Sequence, residues 1–240
     1  MRLHNYLQER KKIQKSEYLY GITFVDIDEC LANTFAKIVV RNKETKKEVL
    51  QLDNQEFNSY VLKDDEEYDF GQFGNSELFV KTSVPIENTV KRIKKMINGI
   101  KQYKERSKSK VIFLTARADF DNKQVFLQWF KDIGIDVDFT SNVYIERVGN
   151  VKTGTIPDKK KDVVLRYLKE SIFRRVRMLD DHKPNVTTFL NIAKELPSNI
   201  IEKTKKNANI TDNNEPIITF YGLQVLPTGQ LSLLGEEKVY

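Results

Sequence analysis

The chain has 240 residues, 40% hydrophobic content and a formal net charge of +6. This length and composition allow a buried core, so intrinsic disorder is not expected. Apolar runs fall far short of the roughly 20 residues that span a bilayer, and the charged start does not resemble a secretory signal. One cysteine excludes an internal disulfide and predicts a reducing, cytoplasmic location. With two histidines, a Cys/His zinc cluster is also excluded, so any metal would be a hard cation bound by carboxylates.

Positive charge is concentrated in lysine-rich segments at residues 91–110, 159–161 and 203–206. Such segments are most often solvated helix faces, and the alternative is attraction to an anionic partner such as nucleic acid. Composition alone does not separate these two interpretations.

The chain begins with a predicted N-terminal extension, residues 1–20, in which helical spacing of apolar residues indicates a helix over residues 3–15. A first buried strand follows at residues 22–25 and breaks off at Asp26 and Asp28. Short, continuous apolar runs of this kind are typical of strands in a parallel sheet that is covered on both faces.

Residues 32–84 are interpreted as a cap or flap insertion after the first strand. Within it, residues 36–40 and 48–52 flank a polar turn, which predicts a β-hairpin. Asp53 or Asn54 is then expected to cap a helix through Leu62. The acidic and aromatic residues 63–83 are expected to form an ordered loop or lid.

The remaining sequence alternates strands and helices. Strands are predicted at residues 111–114, 142–145 and 176–179, with a C-terminal hairpin from residues 217–221 and 231–234. Helices are expected from Pro85, from residues 125–133 with Gly134 as the stop, from a cap at Asp158, and from near Pro184.

This alternation predicts an α/β fold, a Rossmann-like three-layer sandwich with a mostly parallel central sheet. Its core comprises residues 21–31 and 85–210, and residues 211–240 form a hairpin packed on that core. Ligands of such sheets bind beyond the carboxyl ends of the strands. Oxygen-bearing side chains follow three of these strands, so we expect them to converge in one pocket: Asp26, Asp28, Thr115, Asp180 and Asp181.

Such a pocket suits phosphate chemistry. A carboxylate that attacks phosphorus needs a divalent cation beside it to offset charge repulsion, and Mg²⁺ is the usual choice. A second carboxyl, Asp28, is able to protonate the leaving oxygen and later to activate water, provided that its environment raises its pKa. A threonine hydroxyl is suited to donating a hydrogen bond to a phosphate oxygen, and a lysine is suited to balancing the charge that builds up during transfer.

The order of these parts resembles the haloacid dehalogenase superfamily of phosphohydrolases. The resemblance rests on residues 26–30, 113–117 and 179–181, with a lysine opening a helix between the last two, and its motifs span residues 22–181. It implies that Asp26 is the nucleophile and that Asp28 is the general acid/base, whose backbone carbonyl also contacts the metal. It further implies that Thr115, with Ala116 and Arg117, binds the substrate phosphate, and that Asp26, Asp28, Asp180 and Asp181 hold Mg²⁺.

Two roles leave alternatives open, and one turn departs from the superfamily pattern. Lys160 lies over the apolar face of its helix and is our choice for the charge-balancing lysine, with Lys161 close behind it and Lys152 third. Arg117 is expected either to contact the substrate phosphate or to pair with an acid. Glu29 and Cys30 stand where the superfamily often has glycine and threonine, so the turn after Asp28 is expected to be less tight, with Cys30 as a packing residue.

Residues 112–117, 126–135, 160–164 and 179–181 are also similar to the phosphatase part of phage polynucleotide kinase-phosphatases and related phage-encoded phosphohydrolases. This similarity implies a phosphorylated small molecule or a nucleic-acid end as the substrate, and a host-cytoplasmic location. The chain has no Walker-type phosphate loop for a kinase half.

A second hypothesis is an interaction or structural protein that keeps the fold while its catalysis is weak or lost. Receiver and Toprim domains also combine acids with a phosphate site, but their acids come in a different order along the chain.

Overall fold

The structure is a computed structural model that describes residues 20–103, 106–137 and 142–240. The helix predicted over residues 3–15 lies outside the described residues. Among the described residues, no helix combines the length and the apolar character that a membrane crossing requires.

The centre of the fold is a six-stranded sheet. Its strands are β1 (Tyr20–Val25), β7 (Lys110–Thr115), β8 (Val143–Arg147), β9 (Phe173–Asp180), β10 (Ile218–Val225) and β11 (Leu231–Val239). They lie in the order β11-β10-β9-β1-β7-β8 and are parallel except for β11, which confirms the predicted α/β fold with a mostly parallel central sheet. The C-terminal hairpin is also confirmed, since its two strands pair antiparallel and the first of them extends the sheet beside β9.

Helices cover both faces of this sheet and produce two hydrophobic cores. Alternation along β1 sends Ile22 and Phe24 into one core and Val25 into the other. The first core lies against α5 (Ile156–Leu168), α6 (Lys183–Glu195) and α7 (Ser198–Asn207). The second lies against α2 (Ser76–Thr82), α3 (Glu87–Gln102) and α4 (Lys123–Asp132). Both faces of the parallel strands are thus buried, which explains their continuous apolar runs.

Residues 32–84 contain the predicted hairpin and more regular structure than expected. The hairpin strands are β3 (Ile38–Asn42) and β4 (Glu48–Leu52), and α1 (Asn54–Ser59) follows them, three residues shorter than predicted. The loop expected at residues 63–83 was wrong, because this segment contains β5 (Glu66–Asp69), a 3₁₀ turn (Gly71–Gly74) and α2. In this segment β5 pairs with β3 and adds a third strand to the hairpin. A short two-stranded ladder of β2 (Ala32–Asn33) with β6 (Val84–Pro85) closes the base of the insertion.

Two predicted helix starts were wrong, by two and by three residues. Pro85 lies in β6, and α3 begins at Glu87. Thr155 rather than Asp158 is the N-cap of α5, since its side chain accepts a hydrogen bond from the backbone N–H of Asp158. Gly134 ends α4 as predicted, with a φ of 76° that favours glycine.

The loops that follow β7 and β8 touch at Gly149. Val148 donates a backbone hydrogen bond to Thr115 (3.0 Å) and Gly149 donates one to Arg117 (3.2 Å). A Cβ atom at position 149 would lie 2.5 Å from the carbonyl oxygen of Ala116, a contact that backbone atoms cannot relieve cheaply. Glycine is therefore required for the close approach that fixes the segment after β7.

We predict that Gly149→Ala lowers the free energy of unfolding by about 1–3 kcal/mol, because the added methyl group forces the two loops apart. Urea unfolding measures the loss. Gly74→Ala is the control, since its Cβ would meet only an ordinary contact of 3.5 Å with the carbonyl of Asp119. Equal stability of the two variants would contradict the packing role of Gly149.

Candidate functional site

Three carboxylates meet at the carboxyl ends of two neighbouring strands. β1 and β9 pair in register, and the backbone N–H of Asp26 donates to the carbonyl of Leu179 at 2.9 Å, so Asp26 lies beside Asp180. Oxygen atoms of Asp26, Asp180 and Asp181 all lie within 4.8 Å of one another. Asp26 is 8% exposed and Asp180 only 1%. The predicted convergence of these strand-end acids is therefore present in the fold.

Lys160 supplies a positive charge inside this group. It shares the buried face of α5 with Val164 and Leu168, each four residues further on. Its ammonium donates to a carboxylate oxygen of Asp26 at 2.7 Å and to one of Asp180 at 2.6 Å. The side chain is 2% exposed, so this ion-pair triad lies in a low-dielectric environment.

The alternative lysines do not reach the carboxylates. Lys161 forms an ion pair with Glu195, the last residue of α6. Lys152 is exposed in the loop before that helix. Of the three candidates, Lys160 alone is positioned to balance charge in the pocket.

The close approach of these groups shifts their proton affinities. Burial raises the pKa of Asp26 well above its ordinary value; the Lys160 ammonium opposes this change, while Asp180 and Asp181 add to it. Burial and the charge of Asp180 raise the pKa of Asp181 to about 7. Burial alone would lower the pKa of Lys160, but its two carboxylate partners outweigh this and raise it, so the ammonium stays charged. One lysine therefore does not offset all of the repulsion among the three carboxyl groups.

Asn185 contributes a further oxygen that sequence reasoning missed. This residue lies in the first turn of α6, and its amide nitrogen donates to both carboxylate oxygens of Asp180, at 2.9 and 3.1 Å. Its amide oxygen is buried and has no hydrogen-bond partner among the described residues. Buried polar atoms are rarely left unpaired. An oxygen-ligated cation beside Asp180 would fit both this orphan oxygen and the three carboxylates, which is the donor set that Mg²⁺ prefers.

Asp180 also shapes the start of α6. One of its oxygens accepts the backbone N–H of His182 at 3.0 Å. His182 itself occupies the N-cap position and makes no side-chain cap bond. The first turn of α6 is therefore held by the carboxylate of Asp180, two residues before the N-cap position.

Thr115 lies at the same edge of the sheet, as the last residue of β7, which pairs with β1. Thr115 is fully buried, and its hydroxyl oxygen accepts the backbone N–H of Arg117 at 3.1 Å. Ala116 between them is exposed. The three residues predicted to bind phosphate thus form a short bend beyond the strand end.

Asp28 is not part of the carboxylate group, because its side chain pairs with Arg117. The Nε of Arg117 lies 3.0 Å from each carboxylate oxygen, and Nη2 lies 2.6 Å from one of them. The Thr34 hydroxyl donates to the same carboxylate at 2.7 Å. Of the two roles left open for Arg117, pairing with an acid is the one seen. The guanidinium is 1% exposed, and it also donates to the carbonyl of Phe73 at 2.9 Å.

This pairing sets the protonation of Asp28. Burial would raise its pKa, but the Arg117 charge and the hydrogen bonds from Arg117 and Thr34 outweigh burial and lower it. The sequence expectation required a pKa raised toward neutrality. With Arg117 in this position, the opposite direction holds, and Asp28 is ionised at neutral pH.

The turn after Asp28 is closed by hydrogen bonds despite its unusual residues. Glu29 takes a φ of 55°, a left-handed conformation that ordinarily favours glycine. The Glu29 carboxylate accepts the backbone N–H of Thr34 at 3.1 Å, and its own N–H donates to the carbonyl of Ala32 at 2.8 Å.

Cys30 is fully buried in the hydrophobic core, as expected of a packing residue, and its thiol lies 3.4 Å from the carbonyl oxygen of Leu179. Burial raises the pKa of this thiol well above its ordinary value.

Three residues of the site were not predicted: Thr34, Phe73 and Asn185. Thr34 and Phe73 come from the insertion. The Thr34 hydroxyl donates to Asp28, and the Phe73 carbonyl accepts a hydrogen bond from Arg117, the partner of Asp28. Asn185 follows Asp180 by five residues inside a helix. Polar residues such as Thr34 and Asn185 are too common in loops and first turns to stand out without the fold, and Phe73 contributes a backbone carbonyl that no side-chain pattern marks.

We predict that Arg117→Gln lowers the free energy of unfolding at neutral pH by about 3–5 kcal/mol, because it leaves the Asp28 carboxylate buried without its cation. A lowered pKa in the folded state stabilises the protein above the ordinary value of 3.8 and loses that effect as pH falls below it. The difference between parent and variant should therefore shrink in acid. Chemical denaturation across this pH range measures both effects.

Arg166→Gln is the matched control. Arg166 pairs with Glu146 at 2.7 Å, but it is 58% exposed, so its loss should cost less than about 1 kcal/mol. The assigned ion pair would be contradicted if both variants lost a similar free energy of unfolding. It would also be contradicted if the loss in Arg117→Gln did not change with pH.

The strand ends thus gather three carboxylates, a buried lysine and an orphan amide oxygen, with a threonine bend on one side and a second acid held by arginine nearby. No family model, curated protein or solved structure matches this chain.

Proposed function

We propose that the chain is a Mg²⁺-dependent phosphomonoesterase of the haloacid dehalogenase type that works through an aspartyl-phosphate on Asp26. The observation that carries the proposal is the triad of Lys160 with Asp26 and Asp180 at the ends of neighbouring strands. It joins a nucleophilic carboxylate, a fixed positive charge and further oxygen ligands within one small volume. The order of motifs along the chain supports the same assignment.

Mg²⁺ would be held by Asp26, Asp180 and Asp181, with the orphan oxygen of Asn185 close by. When bound, it would offset the repulsion between the phosphate ester and the attacking carboxylate. The superfamily resemblance adds the backbone carbonyl of Asp28 to this set.

In the first step, a carboxylate oxygen of Asp26 attacks phosphorus, and the bond from phosphorus to the ester oxygen breaks. The leaving oxygen takes a proton from the carboxyl of Asp28. In the second step, Asp28 removes a proton from water, whose oxygen attacks phosphorus and releases inorganic phosphate from Asp26. Throughout, Lys160 stabilises negative charge on the transferred group, and Thr115 donates a hydrogen bond to one of its oxygens.

The ion pair of Asp28 with Arg117 has a role in this scheme. An ionised Asp28 serves the second step, whereas the first step needs its proton. Arg117 lies next to the phosphate-binding bend at Thr115 and Ala116, so a substrate phosphate would compete with Asp28 for the guanidinium. We infer that substrate binding draws Arg117 away from Asp28, which raises the pKa of Asp28 and allows it to carry the proton.

For the substrate class, we infer a phosphorylated nucleotide or nucleic-acid end. The insertion supplies Thr34 and Phe73 to the neighbourhood of Asp28, which is the position expected of a segment that closes over the substrate. Lysines 91, 94 and 95 line a groove on α3 of about 830 Å³, and a basic groove favours a polyanionic partner. The similarity to phage end-processing phosphatases points the same way.

We predict that the purified chain hydrolyses a generic aryl phosphate when Mg²⁺ is present, and that Asp26→Asn lowers the rate by about 10³-fold or more, because the nucleophile is lost. Release of inorganic phosphate measures the rate. Asp162→Asn is the matched control, since Asp162 is exposed on α5 two residues from Lys160 and should leave the rate unchanged. Full activity of Asp26→Asn, or turnover without a divalent cation, would contradict the mechanism.

The substrate is tested by comparing 3′-phosphorylated oligonucleotides with 3′-mononucleotides. We expect a higher kcat/KM for oligonucleotides, and we expect this preference to weaken as salt rises, because lysine contacts to phosphates release counterions. A marked preference for mononucleotides would defeat the end-processing assignment while leaving the phosphatase assignment intact.

The second candidate function is an interaction protein with little or no catalysis. Its specific support is the buried ion pair that holds Asp28 ionised and engaged. Under this reading, the basic surface binds a polyanion and the carboxylates hold a structural cation. Absence of Mg²⁺-dependent turnover across aryl phosphates, mononucleotides and oligonucleotides would favour it over the phosphatase.

A further inference from the structure

We propose that the fold carries a second anion site, independent of the carboxylates, in a cavity at the amino ends of β1, β7 and β9, where arginines receive the phosphate group of a small phosphorylated ligand. The cavity has a volume of about 310 Å³, close to the lower end of the range for small-molecule pockets. Gly21, which lines it, precedes Asp26 by five residues, and Arg175 precedes Asp180 by the same number. Thr23 and Arg177 also line the cavity and precede these acids by three residues, so the cavity lies about 10–16 Å along the strands from the carboxylates.

Three arginines give this cavity its charge: Arg106, Arg175 and Arg177. None of them forms an ion pair with a carboxylate of the described residues. Lys110 also lines the cavity, but its ammonium is paired with Glu170 at 2.7 Å. The arginines differ in this respect from Arg117, Arg147 and Arg166, which all have acidic partners.

The neighbouring strands do not neutralise this group. Arg177 lies beside Tyr221 on β10, with the guanidinium carbon 5.6 Å from the centre of the ring. Glu236 lies opposite Tyr221 on β11, and it is paired with Lys238 at 3.1 Å. Burial and the charges of Arg175 and Arg106 lower the pKa of Arg177, which indicates that the three cations repel one another.

The geometry of β1 gives Arg177 room to lie inside the cavity. A Cβ atom at Gly21 would lie 3.6 Å from Nη1 of Arg177, so the guanidinium extends across the glycine. On the other side, Met96 and Ile100 of α3 provide an apolar wall. A half-buried guanidinium beside an apolar wall is weakly hydrated, and it binds phosphate through paired hydrogen bonds.

The small volume favours a small ligand. The cavity lies between the sheet and the end of α3, and it is smaller than the lysine-lined groove of about 830 Å³ on the same helix, with Arg106 lining both. Clustered cations without acids cost free energy in the ligand-free protein, and a bound phosphate would remove that repulsion.

The test is calorimetric titration of inorganic phosphate into the full chain, free of metal and at low ionic strength. Without a cation, the carboxylate pocket repels phosphate, so binding reports on the second cavity. We expect the parent to bind and Arg177→Gln to bind at least about tenfold more weakly, because charged hydrogen bonds are lost. Lys95→Gln, which removes a lysine from the open groove on α3, should bind like the parent.

Thermal unfolding gives the second readout. Without phosphate, Arg177→Gln should keep or raise Tm, because it removes a repelled cation, and phosphate should raise Tm of the parent only. If that variant fails to fold, Arg175→Gln replaces it, since Arg175 is exposed on the sheet surface. Binding equal to the parent in both arginine variants would overturn the proposal. An equal loss in Lys95→Gln, or binding of an oligonucleotide but not of phosphate, would overturn it as well.

Discussion

The Lys160 ammonium, held between Asp26 and Asp180, is the interaction on which the candidate site depends. Buried carboxylates this close to one another repel, and the pKa values of Asp26 and Asp181 are raised in consequence. One buried lysine reduces the repulsion and keeps the strand ends together. Excess negative charge remains, and the orphan oxygen of Asn185 adds a further ligand without a partner. A site built in this way is suited to taking up a cation.

The fold explains why such a group can form from residues far apart in the chain. β1 lies between β7 and β9, so Asp26, Thr115 and Asp180 end on neighbouring strands. α5 precedes β9 and crosses the sheet face that carries Phe24, which brings Lys160 to the same edge. The crossovers of a parallel sheet place each strand's carboxyl end on one side, and the chemistry collects there. The arginines of the proposed anion site lie nearer the amino ends of the same strands.

Much of this arrangement could be predicted from the sequence, for identifiable reasons. Continuous apolar runs marked the parallel strands, and their abrupt ends marked Asp26, Thr115 and Asp180. Helical spacing favoured Lys160, which precedes Val163 and Val164 by three and four residues. It left Lys161 as a close alternative, and only the contacts in the fold decide between the two lysines. These signals are local, or they follow from a general rule of parallel sheets.

The contacts of Asp28, Arg117 and Phe73 could not be predicted, because the residues that form them are distant in sequence. Asp28 and Arg117 are separated by 89 residues, and the sequence left open whether Arg117 would bind an acid or a phosphate. The carbonyl of Phe73 accepts a hydrogen bond from Arg117. This contact forms because residues 63–83 fold into a strand, a 3₁₀ turn and a helix instead of a loop. At Pro85 and Asp158, two plausible helix starts lay within a few residues, and local propensity does not choose between them.

The most direct test of the central claim is to identify the residue that becomes phosphorylated during turnover. Asp28→Asn should slow hydrolysis of the intermediate, since the base that activates water is lost. After incubation of this variant with Mg²⁺ and an aryl phosphate, acid quenching and peptide mass spectrometry should find one phosphoryl group on Asp26. A phosphoryl group on any other residue, such as Cys30 or Asp180, would contradict the account.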